Sequence, residues 1–150
     1  MILVLFIRSL LFSIYFYISV IVFTLFFVFL APFIELKKRY SLTSMYISTL
    51  LIVLKFLCRI DWEVTGDILG QRPVIIASNH QGLWESFYLQ TLVNPLTTII
   101  KKELIYIPFF GWALNLLNPI KINRSKKVQS AKKVIMLSLI HISEPTRPRL

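Results

Sequence analysis

The sequence predicts an α/β domain carried behind an N-terminal membrane helix or helical hairpin. Three observations predict it. Ser9 to Ile34 is a run of 26 residues without a charge. Short strand-like and helix-like segments alternate after residue 60, the pattern of an α/β layer. Within them Val74 to Glu85, VIIASNHQGLWE, runs an apolar segment straight into a histidine and then a carboxylate. The expected organisation is membrane-embedded helices over 1–59, part of a mixed sheet flanked by helices over 60–136, and a separate tail over 137–150.

The uncharged run is rich in Phe, Leu, Ile and Val, and 26 residues at about 1.5 Å each reach about 39 Å against a hydrocarbon core of about 30 Å. It is too long for the apolar core of a signal peptide, and Pro32 should end or kink it. A second apolar stretch, Tyr40 to Leu54, has only 15 residues and is expected to be too short to span. It would lie in the interface or fold back as the second arm of a hairpin, with Lys55 and Arg59 reaching the headgroups. The Lys37, Lys38, Arg39 cluster outweighs Arg8, so the positive-inside tendency places that side, and the domain after it, in the cytoplasm. A spanning second stretch would invert this orientation.

Asp61 to Gly70, DWEVTGDILG, alternates like a short strand before a Gly66 turn. Val74, Ile75 and Ile76 read as a second strand, with turn residues from Ser78 to Gly82 placing His80 at its end. His80 and Glu85 are five apart, about 140° around a continuous helix, so they can meet only across a turn. A helix beginning near Gly82 would put Glu85 in its first turn beside free backbone N–H groups. A carboxylate on one imidazole nitrogen fixes the tautomer and leaves the other nitrogen free to take a proton. The alternative is a hydrogen-bonded histidine closing a core strand. Further along, a helix should end at Asn94-Pro95, Thr97 to Ile100 suits a strand, and Phe110 to Leu117 is short and apolar around Gly111.

Composition narrows the partners. The formal charge is +10, or +9 without the final 14 residues, which carry two arginines and one glutamate. No sequence signature of a nucleic-acid module accompanies it, and beside an apolar helix the fitting partners are anionic membrane lipids. Cys58 and His80 cannot assemble a common zinc site, so neither a metal nor a bound cofactor is expected. Trp84, Phe87, Tyr88, Tyr106, Phe109, Phe110 and Trp112 suit an acyl-chain path or the interface, but ordinary core is the expectation for most of them.

Lys101 to Ser125, KKELIYIPFFGWALNLLNPIKINRS, follows the NHxxxxE block in order. Together they resemble the 1-acylglycerol-3-phosphate acyltransferase family, membrane enzymes that acylate lysophosphatidate to phosphatidate. Glu85 stands where the family usually has aspartate. The resemblance implies a glycerolphosphate-acyltransferase-like fold and a bacterial inner-membrane location. It also implies that His80, oriented by Glu85, deprotonates the lysophospholipid hydroxyl, which attacks an acyl thioester of coenzyme A or acyl carrier protein. Arg124 would hold the substrate phosphate through paired hydrogen bonds, with Lys101 and Lys102 as further candidates. Another lysophospholipid or a lipid A precursor is an alternative acceptor, and an inactive membrane fragment an alternative reading of the chain.

The family's third block, Glu-Gly-Thr-Arg, is absent. Leu137 to Arg147, LSLIHISEPTR, looks like a translated transposase sequencing adapter, so residues from Leu137 onward, His141 among them, are expected to be non-native. A genuine short tail, for which Pro145 and Pro148 would also suit, is the alternative.

Overall fold

The computed structural model describes residues 2–66, 76–78 and 82–123, with Leu83 described in its backbone alone. Helix α1 spans Ile2–Leu30. Its side chains are apolar on every face, so it has no solvent side of its own. Pro32 cannot donate to the helical ladder, and the chain tightens at Ala31–Phe33 into a 3-10 turn closed by the Ile34 N–H on the Ala31 carbonyl at 3.3 Å.

Helix α2 spans Leu36–Cys58, 23 residues. This corrects the 15-residue expectation. Lys37, Lys38 and Arg39 are good helix formers and extend the helix upstream of its apolar stretch, giving about 35 Å at about 1.5 Å per residue. Both helices are thus long and apolar enough to cross a membrane. They pack as a hairpin in which the Tyr46 ring stacks on Phe23 at 4.0 Å and shares a 3.1 Å hydrogen bond with Ser19. Arg59, in the left-handed region at φ 55°, ends α2.

Residues 61–65 form no strand, which corrects the reading of Asp61 to Gly70. An alternating pattern needs a ladder partner, and here the segment is held by side chains instead: Asp61 pairs with Lys55 at 2.7 Å, and Trp62 lies edge-on to Trp84 at 5.5 Å. Gly66, at φ 96°, does make the expected turn. The strand read at Val74 to Ile76 falls largely outside the described residues, and Ile76 itself is not in a strand.

Helix α3, Leu83–Leu92, runs beside α2. Its first turn faces Leu54 and Ile60 across a cavity, and just past its end Asn94 Nδ2 donates to Ser41 Oγ at 3.2 Å. Strands β1, Ile99–Lys101, and β2, Ile120–Ile122, pair in parallel in the register Ile99 to Ile120, Ile100 to Lys121, Lys101 to Ile122. A parallel pair needs a crossover, supplied by a 3-10 segment at Lys102–Tyr106 and helix α4, Phe110–Asn115. The described part of the fold is mostly helical, with this small parallel sheet.

The start of α4 is unusually tight. Phe109 sits at φ 60°, ψ −66°, the centre of a γ-turn in which the Phe110 N–H meets the Pro108 carbonyl at 2.7 Å. Gly111 then approaches the Ile105 carbonyl so closely that a Cβ there would overlap it. Gly111 is therefore a backbone requirement of this turn. Phe27, Tyr40 and Leu117 form a buried cluster, so α1, α2 and the end of α4 share one core.

Candidate active site

Glu85 occupies the third position of α3, in its first turn as the spacing predicts. Its Oε2 accepts the Gly82 N–H at 2.9 Å. Gly82 has no side chain with which to cap the helix, so the carboxylate supplies the returning half of a capping box alone. That bond fixes the carboxyl group at the N-terminus of α3. His80 lies outside the described residues, so the pairing expected between His80 and Glu85 does too. Arg124 and the tail from Leu137 lie outside them as well.

Lys101 ends β1 and Lys102 opens the segment after it, and both are exposed. The parallel register sets Lys101 level with Ile122, two residues before Arg124 in the chain. In open α/β sheets that end of the strands is where ligands bind. Lys121, on the neighbouring strand, donates instead to Asn115 Oδ1 at 2.5 Å.

A cavity of about 560 Å³ opens between the hairpin and α3. Phe16, Leu50, Leu54, Trp62, Trp84 and Phe87 line it. Trp84 and Tyr88 stack at 4.9 Å, the Trp84 ring nitrogen is buried without a hydrogen-bond partner among the described residues, and Phe87 lies 6.2 Å from Phe16. The aromatics expected to be ordinary core are not: none of the seven is buried, and Tyr106 and Trp112 are exposed. No layer among the described residues covers that side of α4. At the mouth, the exposed Asp61 carboxyl is held below the usual carboxylate range, first by the Lys55 hydrogen bond and then by the Trp62 N–H.

Sequence reasoning used Arg39 and Tyr40 for topology and gave them no contact with the later domain. Arg39 Nη1 donates to the Leu116 carbonyl at 3.2 Å, and the buried Tyr40 hydroxyl donates to the Leu117 carbonyl at 2.8 Å. Their partners lie 77 residues away, so no local pattern could reveal them.

The profile described as Acyltransferase matches residues 61–143, running seven residues past Met136. A 1-acyl-sn-glycerol-3-phosphate acyltransferase of Pseudomonas aeruginosa is 38% identical over 108 residues, 71% of this chain and 42% of that protein. A protein of the same name from Saccharomyces cerevisiae is 34% identical over 80 residues, 52% of this chain and 26% of its own length. The chain thus spans less than half the length of these curated relatives. No solved structure matches it. With more than half of its residues inside the family profile, both sequence blocks included, the chain belongs to the acyltransferase family.

Proposed function

We propose that the chain is the N-terminal and early catalytic part of a membrane enzyme that transfers a fatty acyl group from an acyl thioester to the free hydroxyl of lysophosphatidate, forming phosphatidate. The observation that carries this reading is Glu85 fixed in the first turn of α3, directly after the segment holding His80. The names of the two relatives support the substrate class. A glycerolphosphate-acyltransferase-like mixed sheet, of which β1 and β2 are a part, belongs to the same reading.

In the reaction, His80 removes the hydroxyl proton as the oxygen attacks the thioester carbonyl, and Glu85 stabilises the imidazolium that forms. The tetrahedral intermediate collapses, the carbon–sulfur bond breaks, and the departing thiolate takes the proton back from His80. No acyl-enzyme forms. Arg124, Lys101 and Lys102 hold the acceptor phosphate, and coenzyme A or acyl carrier protein supplies the acyl group. The hairpin seats the protein in a bacterial inner membrane, with the catalytic part facing the cytoplasm. Large exposed side chains along α1, Val22, Phe26 and Phe29 among them, suit contact with lipid.

Acyl transfer to radiolabelled lysophosphatidate in proteoliposomes tests the reading. His80→Ala is expected to lower kcat by about 10²–10⁴-fold, the usual contribution of a general base. Activity equal to the parent's would remove His80 from the chemistry. A parent that acylates another lysophospholipid or a lipid A precursor in preference would move the acceptor, and one that acylates nothing would favour an inactive fragment.

A further inference from the structure

We propose that Tyr40, on the hairpin, is a positioning residue for the acceptor phosphate, an inference that rests on the acyltransferase reading above. Its hydroxyl ties together the segments that lead into both strands of the parallel pair, and so sets where the strand ends carrying Lys101 and Lys102 stand.

The geometry is specific. Tyr40 is 5% exposed, and its hydroxyl donates to the Leu117 carbonyl at 2.8 Å. With that hydrogen committed, the Thr97 hydroxyl, 3.0 Å away, donates to the phenol oxygen. Thr97 lies two residues before β1 and Leu117 three before β2. One buried phenol therefore bridges the approach to each strand. The next bond along is the start of the ladder itself, the Ile120 N–H on the Thr98 carbonyl at 2.9 Å. Arg39 reinforces the same place by holding the Leu116 carbonyl with Nη1 and the Ile34 carbonyl with Nε, each at 3.2 Å.

The tie matters because the strands are short. Strands of three residues each gain little hold from their own ladder, and among the described residues no third strand lies beside them. Ile100 is the buried member of β1, while Ile99 and Lys101 are exposed. Four residues of extended chain, about 13 Å, separate Thr97 from Lys101. A tilt at Thr97 is carried to the lysine as a displacement.

Tyr40→Phe removes the hydroxyl and keeps the ring in the Phe27 and Leu117 cluster. In proteoliposomes it is expected to raise the KM for lysophosphatidate at least about fivefold, with kcat and the KM for the acyl thioester within about twofold. Thr97→Val, which breaks one arm from the exposed side, should shift the same KM in the same direction by less. Ser19→Ala, which removes a bond inside the hairpin, should leave it unchanged. An unchanged acceptor KM in Tyr40→Phe, or kcat and both KM values worsening together, overturns the inference and leaves the acyltransferase reading intact. Amide exchange supplies the second arm. Tyr40→Phe should speed exchange at residues 99–102 and 120–122 but not along α1, and protection equal to the parent's would show that Tyr40 does not hold the strands. A parent that makes no phosphatidate overturns the functional reading and with it the role assigned toward phosphate, whatever the exchange shows.

Discussion

The two ends of the hairpin are joined to the rest of the chain by different chemistry. At the closed end, Arg39 and Tyr40 donate to main-chain carbonyls over a core that includes the fully buried Phe27. At the open end, rings of α1, α3 and Trp62 meet around a cavity, with an exposed ion pair at its mouth. Hydrogen bonds to backbone are directional and fix position, whereas ring contacts tolerate sliding and repacking. The closed end ties the approaches to both strands to the hairpin, and the open end leaves an apolar cavity.

Substitutions can break or sharpen this contrast. Phe27→Ala should have the largest effect, about 3–5 kcal/mol, because it empties a site with no exposure. It should appear as a large drop in the detergent-solubilised Tm. Trp62→Ala should cost less, about 1–3 kcal/mol, since its ring is only partly buried and borders space already empty. A greater loss from Trp62→Ala than from Phe27→Ala would invert the ranking of the two ends.

The smallest effect belongs to Asp61→Asn. Lys55 lowers the Asp61 pKa from 3.8, so any stabilisation is present above that value and is lost as pH falls through the lower folded value. At neutral pH and moderate salt the exposed pair is screened, and the variant should melt with the parent. Any difference between them should shrink as pH falls below about 4, and one confined to that range would contradict this sign.

Much of the first turn of α3 was legible in the sequence. A histidine and a carboxylate five positions apart do not share one helix face, so a helix was expected to begin between them, and it begins at Leu83. The length of α2 was not legible from apolar residues alone, because a helix does not stop where hydrophobicity does. Lys37 to Arg39 carry it upstream and reveal a second helix able to cross a membrane. The strand expected after Asp61 failed because alternation describes a surface awaiting a partner, and there side-chain contacts take the segment. Gly111 looked like one small residue in an apolar block, and only the Ile105 carbonyl beside it explains why no side chain fits. His80 and Arg124, the residues on which the proposed chemistry turns, are read from the sequence alone.

The shared core also bears on how such a protein can be shortened. Residue 59 is a natural place to cut by sequence, since it ends the last apolar helix. By packing it is a poor one. A protein beginning at residue 60 would lose Phe27 and Tyr40 while keeping Leu117, their buried partner, along with Ala113 and Leu116 beside it. The piece obtained that way would carry a sticky scar where the hairpin had been, and its tendency to clump would trace to that missing wall.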